Sequence, residues 1–384
     1  MAKPDPSSPD RSSVEAFAAK RLAELEAQGL RRDLHATRRA PDAAATRDGE
    51  TFTSFCDNDY LALSTHPRVT AAAAAAAQQH GVGAGASRLV TGDHPLNHRL
   101  ERRLAVLKGL PAARLFGSGY LANVGVVPAV VGPGDLVVMD GLAHACLHAG
   151  ARLSGAEVRL FAHNDVEEAA RLLRNRRGGR ALVVTETVFS MDGDLAPLEA
   201  LAAACRKHDA WLMTDDAHGF GVVKIDNPAA IQMGTLSKAV GGYGGYVAGP
   251  AALVELLASR ARSFVYTTGL PPPTLAAALA ALDVMEEEPA RRETCLANAR
   301  LFGALIGRPE VHSAIVPVVM GEAARAMAAS EALAAEGFLV SAIRPPTVPA
   351  GTARLRFTFS AAHREADVRR LAALTRRLID AAAA

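Results

Sequence analysis

The chain has 384 residues, with 42 basic and 40 acidic side chains and a formal net charge of +2. That length predicts a large domain with a smaller one beside it, and the interspersed charges leave no basic footprint for nucleic acid. Hydrophobic content is 49%, yet no run of about 18 uninterrupted apolar residues occurs, which argues against a helical membrane span.

Residues 1–12, "MAKPDPSSPDRS", are polar and rich in Pro and Ser, without the apolar stretch of a secretory signal. Helical periodicity predicts a helix over 13–28, followed by a loop and short strands up to Cys56, so 1–56 reads as a tail and arm. A helix over 67–79 leads into "GVGAGASRLVTG" (81–92), and another runs through "HPLNHRLERRLAVLKG". "GVGAGA" imitates a dinucleotide loop, but it follows a helix and not a strand, so that context fails. "RNRRGGR" (174–180) reads as a solvated helix end.

From Arg114 onward, short apolar runs alternate with helical segments. The runs are "ARLFG" (113–117), "DLVVMD" (135–140), "EVRLF" (157–161), "ALVVTET" (181–187), "WLMTD" (211–215), "IQMGT" (231–235) and "GYVAG" (245–249). Strands of this kind, separated by helices, predict a mostly parallel sheet covered on both faces, an α/β domain over 57–271. Beyond "GLPPPT" (269–274) the texture shifts to long helices with strands near 314–320, 338–342 and 353–359, a smaller C-terminal α+β domain over 272–384.

Open parallel sheets bind ligands outside the carboxyl ends of their strands. The predicted ends carry Ser118, Gly119 and Tyr120; His144; Ser190; Asp215 and His218; and Thr235 and Lys238. Lys238 stands out because only six of the 42 basic residues are lysine, and none follows it. Arginine fills most surface roles but cannot form a Schiff base. A lysine to condense with an aldehyde, an aspartate to keep a ring nitrogen protonated and a helix N-terminus for a phosphate are the parts that pyridoxal phosphate requires. "HACLH" (144–148) does not make a metal site, since Cys146 points away from the face shared by the two histidines. The four cysteines, Cys56, Cys146, Cys205 and Cys295, form no paired motif and predict a reducing, cytoplasmic setting.

The chain resembles the α-oxoamine synthases of the aspartate-aminotransferase-like fold (pyridoxal phosphate fold type I). The resemblance runs from "NDYLALSTHP" (58–67) to "TARLRFTFSAAH" (352–363) and includes "SRLVTGDHPLNHRLE", "VFSMDGDLAPL", "DDAHGFG" and "AIRPPTVPAGTARLRFT". It implies Lys238 as the cofactor lysine, Asp215 as the pyridinium partner, and His144 and Ala217 on the two ring faces. Ser190 and His218 match positions near the phenolic oxygen. Gly119, Tyr120 and Thr235 match phosphate-side positions, and Thr267 one supplied by the other subunit of a homodimer. Asn58 and Arg356 match groups that hold the amino-acid carboxylate. Arg32, Arg344 and Thr347 match substrate-side positions, with Arg31 an equal claimant beside Arg32.

The implied reaction is decarboxylative condensation of an amino acid with an acyl thioester. An arginine before the proline pair, Arg344, points to L-alanine and a pimeloyl thioester on CoA or a carrier protein. Glycine with another acyl-CoA is the alternative, and a regulatory protein, C–S lyase or aldolase using the same cofactor is the reading from another class. One departure is a connection over 219–233 shorter than the resemblance leads one to expect.

Overall fold

A computed structural model describes residues 11–383. The chain opens with a helix α1 (Arg11–Ala27) and a small antiparallel arm, β1 (Thr37–Arg39), β2 (Ala44–Arg47) and β3 (Glu50–Ser54). Helices α2 (Pro67–His80) and α3 (Pro95–Lys108) begin alike. In each, proline takes the first helical position, where no N–H is needed, and the preceding histidine caps the helix. The imidazole Nδ1 of His66 accepts from the Arg68 N–H, and that of His94 from the Leu96 N–H.

The large sheet is built from β4 (Ala112–Phe116), β5 (Leu136–Asp140), β6 (Glu157–Phe161), β7 (Ala181–Glu186), β8 (Trp211–Asp215), β9 (Ile231–Thr235) and β10 (Gly245–Gly249). Interleaved with these strands are α4 (Gly119–Val130), α5 (Ala145–Ser154), α6 (Val166–Arg174) and α7 (Leu198–Lys207). The spatial order is β4-β10-β9-β8-β7-β5-β6. All of these strands run parallel except β10, which is antiparallel to both β4 and β9. Its reversal follows from chain length. Only residues 236–244 join β9 to β10, too few for the dozen or more that a parallel crossover requires. The connection over 216–230, which holds most of the short 219–233 stretch, does suffice, and it leaves β8 and β9 parallel, with Asp215 opposite Met233.

Both faces of the sheet are covered by apolar side chains, as expected for parallel strands. Val126, Val127, Leu147, Met213 and Met233 pack on one face, and Val138, Leu173, Val183, Leu201 and Leu212 on the other. Helices α8 (Ala251–Arg260), α9 (Arg262–Val265) and α10 (Pro272–Glu287) follow. The last of these departs from the division expected at residue 272. Leu275, Ala278, Ala281 and Leu282 of α10 join the core that holds Tyr60, Leu63, Leu100, Leu104 and Tyr246, so α10 packs on α2 and α3 of the large domain.

The C-terminal part comprises α11 (Ala290–Leu305), β11 (Ile315–Gly321), α12 (Ala323–Ala335), β12 (Phe338–Leu339), β13 (Ser341–Ile343), β14 (Ala353–Thr358) and α13 (Glu365–Ala383). Its sheet has the order β11-β14-β13. The arm is tied to it, because β12 pairs in parallel with β3 and Phe55 is buried in the C-terminal core beside Phe302, Phe338 and Phe359.

His363 fastens this junction. Its ring stacks on Phe55 with centroids 3.9 Å apart. Nδ1 accepts from the Ser360 N–H at 2.9 Å, and Nε2 donates to the Ser54 carbonyl at 2.8 Å. Burial pushes its pKa down from 6.5 to about 4. A depressed folded pKa means that the unfolded chain takes up the proton first. The group's contribution is therefore intact above 6.5 and is lost as pH falls toward 4, on the order of 3 kcal/mol in all. We predict that His363→Leu lowers stability by about 1–3 kcal/mol at neutral pH, because Ser360 N–H and Ser54 C=O lose their partner. The same variant should show a flatter acid limb, both effects being read from urea melts across that pH window.

Candidate active site

The carboxyl ends of β7 and β8 place two acids side by side, since Glu186 and Asp215 are register partners. Asp215 is 4% exposed. Its Oδ2 accepts from Asn123 Nδ2 at 2.7 Å and its Oδ1 from the Ala217 N–H at 2.9 Å. Burial pushes its pKa up, while Lys238 and these two donors oppose the shift. No cation lies within ion-pair distance of Asp215 among the described residues. The next residue is treated differently: Asp216 pairs with Lys108 Nζ at 2.7 Å and accepts from the Thr187 hydroxyl. Beside that pair, a cavity of 470 Å³ is lined by Phe220, Ile225 and Met285, next to the short 219–233 connection.

Lys238 follows β9 in a half-buried turn. Its amine has no ion pair or hydrogen bond with any described residue. Burial pushes its pKa down, against the fields of Asp215 and Glu186. An amine so placed gives up its proton more readily than a surface lysine, which suits a nucleophile or base.

At the far end of the same edge, Ser118 caps α4 by accepting the Leu121 N–H at 3.1 Å. A Cβ on Gly245 would lie 2.6 Å from the Gly119 nitrogen, so only glycine lets β10 approach the start of this helix. Thr235 closes the other side, near Gly119. Its hydroxyl donates to the Gly244 carbonyl at 2.9 Å and accepts from the Ser237 N–H and from the Ser237 hydroxyl at 2.8 Å, so Thr235 shapes the turn and holds the exposed Ser237 hydroxyl beside it. Tyr120, in the first turn of α4, is 52% exposed. The helix N-terminus, Ser237 and Tyr120 together fit a phosphate.

His144 caps α5, with Nδ1 accepting from the Cys146 N–H. Its ring is exposed at the cleft, yet flanking protein desolvates it enough to push its pKa down. Cys146 is buried, with its thiol pushed up to about 12, so it is a packing group that meets Asn123 at 3.1 Å. No cluster of three or more His, Cys, Asp or Glu side chains suited to a metal occurs among the described residues.

Opposite, β14 presents Arg356, 6% exposed and without an acidic partner among the described residues. Its Nε donates to the Ser190 carbonyl and its Nη2 to Asn58 Oδ1 at 3.4 Å. Asn58 Oδ1 also accepts from the Tyr60 hydroxyl at 3.2 Å, and Tyr60 reaches His218 Nδ1 at 2.6 Å. Burial holds His218 neutral and pushes the Tyr60 hydroxyl up to about 12. A buried guanidinium with its orientation fixed and its charge unmatched is a ready carboxylate site.

Arg31, Arg32, Arg344 and Thr347 line a cavity of 540 Å³ with His35 and Arg47. Arg344 donates to the Arg31 carbonyl at 2.9 Å. The Arg31 guanidinium pairs with Glu26 and Asp33, whereas Arg32 and Arg344 have no acidic partner among the described residues. Ion pairing therefore separates Arg32 from Arg31 as a free cation. Thr267 lies elsewhere within the chain, in a small cleft with Arg88, Asn97 and Phe264.

These groups fit the cofactor anticipated from the sequence: an unmatched buried carboxylate, an unpaired amine and a helix-end anion cradle. Three residues escaped the sequence reading. Asn123 left a signal, being the one amide in the otherwise apolar run "LANVGVVPAV". Tyr60 and Ser237 adjoin residues that were selected but carry no signal of their own.

Comparison with known proteins points the same way. The family model for class I and II aminotransferases matches residues 50–374. The 8-amino-7-oxononanoate synthase of Methylobacterium radiotolerans is 60% identical over 362 residues, covering 94% of this chain and 97% of that protein. A protein of Caulobacter vibrioides described as a putative 8-amino-7-oxononanoate synthase is 59% identical over 371 residues, with 94% and 97% covered. Among solved structures, a serine palmitoyltransferase variant from S. paucimobilis with a bound PLP–myriocin aldimine superposes with a TM-score of 0.89 at 27% identity, covering 98% of this chain and all of that one.

We predict that Asn123→Ala, which removes a hydrogen bond to a charged acceptor worth about 1.5–3 kcal/mol, makes Asp215 easier to protonate. Turnover should fall roughly 10- to 100-fold by that same energy, with the acid limb of the pH–rate profile moved upward. An unchanged profile would mean that Asn123 serves packing alone.

Proposed function

This chain belongs to the class I and II aminotransferase family, and we propose that within it the reaction is the one its relatives are named for: synthesis of 8-amino-7-oxononanoate, from L-alanine and a pimeloyl thioester with release of CO2 and thiol. The observation that carries this reading is an unpaired amine with a buried, acid-free arginine near it, together with a second pair of acid-free arginines at another cavity. Arg356 is buried without an acid near Lys238, and Arg32 with Arg344 is free of acids at a cavity also lined by Ser341, the register partner of Arg356. A dicarboxylic acyl chain and an amino acid each bring one carboxylate to such a site.

Pyridoxal phosphate, when bound, supplies an aldehyde for an amine and a pyridinium that accepts electrons from the amino acid's α-carbon. The start of α4, Gly119, Tyr120 and Ser237 would hold its phosphate, Asp215 its ring nitrogen, and His144 and Ala217 its two faces. Asn123 and the Ala217 N–H keep the Asp215 carboxylate ionised and fixed in direction. Lys238 Nζ, deprotonated more readily through burial, is the base that takes the α-proton of alanine and later returns a proton to the product. Arg356, oriented by Ser190 and Asn58, binds the alanine carboxylate until it leaves as CO2. His218, kept neutral beside Tyr60, is a hydrogen-bonding group and not a competing charge. The neutral imidazole of His144 lies at the open side, where a thioester carbonyl would approach, and can donate to the oxygen on which charge develops. Arg32, Arg344 and Thr347 would receive the far carboxylate of the acyl chain.

A homodimer with a partner-supplied Thr267 is part of this proposal. It is supported by the position of Thr267 away from Lys238 within one chain and by large exposed apolar side chains at Val82, Leu89, Val90, Tyr243 and Tyr266. The Ser87–Thr268 bridge joins the two loops that carry most of them. No helix among the described residues is long and apolar enough to cross a membrane, and the free cysteines support a cytoplasmic setting.

The test is an assay of purified protein with alanine or glycine against pimeloyl thioesters or acetyl-CoA, reading CO2 and thiol. Alanine with a pimeloyl thioester should be preferred; if glycine with acetyl-CoA is faster, the substrate assignment fails while the chemistry stands. Lys238→Ala should eliminate the borohydride-reducible chromophore, and labelling of any other lysine would refute its role. Arg356→Ala should weaken every amino-acid substrate by roughly 2–5 kcal/mol. Arg344→Ala should slow the pimeloyl substrate more than acetyl-CoA.

A further inference from the structure

Glu186 is unlike the other acids at this edge of the sheet. Asp216 has the Lys108 ammonium, and Asp140, at the end of neighbouring β5, has His163 at 3.2 Å. Asp215 has two strong donors. Glu186 is 2% exposed, forms no ion pair with a described residue, and its Oε1 has no hydrogen-bond partner. Its register partner across the ladder is Asp215 itself. A carboxylate there would be desolvated, without a counter-cation and beside a like charge, three circumstances that all favour the protonated form.

We propose that Glu186 is a positioning residue that remains a neutral carboxylic acid in the working protein, leaving Asp215 as the single negative charge facing Lys238. The groups around it divide as follows. Asp215 on β8 opposes its ionisation, while Lys238 after β9 and the backbone amides of His144 and Ser190 favour it; burial outweighs these and pushes its pKa well up. Arg356 on β14 acts on Lys238 and donates to the Ser190 carbonyl and Asn58 Oδ1, not to Glu186.

The consequence falls on Lys238, and to that extent the inference rests on the reading of Lys238 as the reacting amine. Negative charge at Glu186 raises the proton affinity of Lys238, and an ammonium is neither nucleophile nor base. It would also compete with Asp215 for any proton the pair shares. A neutral Glu186 confines the negative charge to the acid that Asn123 holds in place, and its O–H can donate within the site.

The test is infrared spectroscopy of the full-length protein, with and without pyridoxal phosphate, using isotopically labelled glutamate. A protonated-carboxyl C=O band should be present at neutral pH, shift with the label, persist into mildly alkaline solution and vanish in Glu186→Gln. Absence of a label-sensitive band at neutral pH in the wild type overturns the proposal, whether or not the variant folds. In Glu186→Gln the pH midpoint for capture of pyridoxal phosphate by Lys238 should stay within about one pH unit of wild type, since little charge has been removed. A larger fall in that midpoint would show that an ionised Glu186 had been lost, and would overturn it too. Both readouts are independent of the acyl substrate, so failure of the condensation assay leaves this inference standing, and its own failure leaves the condensation untouched.

Discussion

The arrangement of this edge turns on a carboxyl group buried where water does not reach it. Asp215 is buried at a strand end with no cation to neutralise it, and isolation of that kind ordinarily drives a carboxyl to the protonated form. Here that push is opposed by directed hydrogen bonds: one from the side chain of Asn123 on α4, one from the Ala217 backbone. Everything nearby is consistent with protecting that single charge. Asp216 is diverted to Lys108, His218 stays uncharged against Tyr60, and Lys238 comes close enough to feel the field without forming an ion pair. A direct Lys238–Asp215 salt bridge would satisfy both groups and leave neither available.

The surroundings of Arg356 are assembled from distant parts of the chain. Asn58 and Tyr60 follow the arm, Arg356 lies on β14 and Ser190 follows β7. The arm and C-terminal sheet are held together by the β3–β12 pairing, the Phe55 core contacts and His363. This long-range packing is what sets the distance between Arg356 and the strand ends of the large sheet. The junction that stabilises the fold therefore also positions Arg356.

Much of this architecture was legible in the residues. Apolar runs bounded by turn signals marked the strands of the large sheet, and the polar groups after five of them marked the edge at which they gather, because side-chain period and strand-end position are local properties. What stayed hidden was non-local. The reversal of β10 is a matter of how few residues follow Thr235, and α10 looks like the start of a new helical domain until its Leu275 and Leu282 are seen against Leu100 and Tyr246. Asn123 could be noticed as a lone amide in an apolar helix, but its target lies across the sheet. The difference between Arg31 and Arg32 depends on Glu26 and Asp33, which the sequence alone does not rank.

The Lys108–Asp216 pair has a bearing on fidelity. An aldehyde cofactor condenses with any accessible neutral amine, so each lysine in such a protein is a place where the cofactor can be captured unproductively. This chain has only six lysines, and the one nearest in topology to the strand ends is held as an ammonium against a carboxylate at 2.7 Å. A protonated amine does not attack carbonyl carbon. Pairing occupies Lys108, and most surface positions are filled with arginine, whose guanidinium stays protonated. Lys108 is thereby a poorer partner for an aldehyde than an unpaired, buried amine such as that of Lys238.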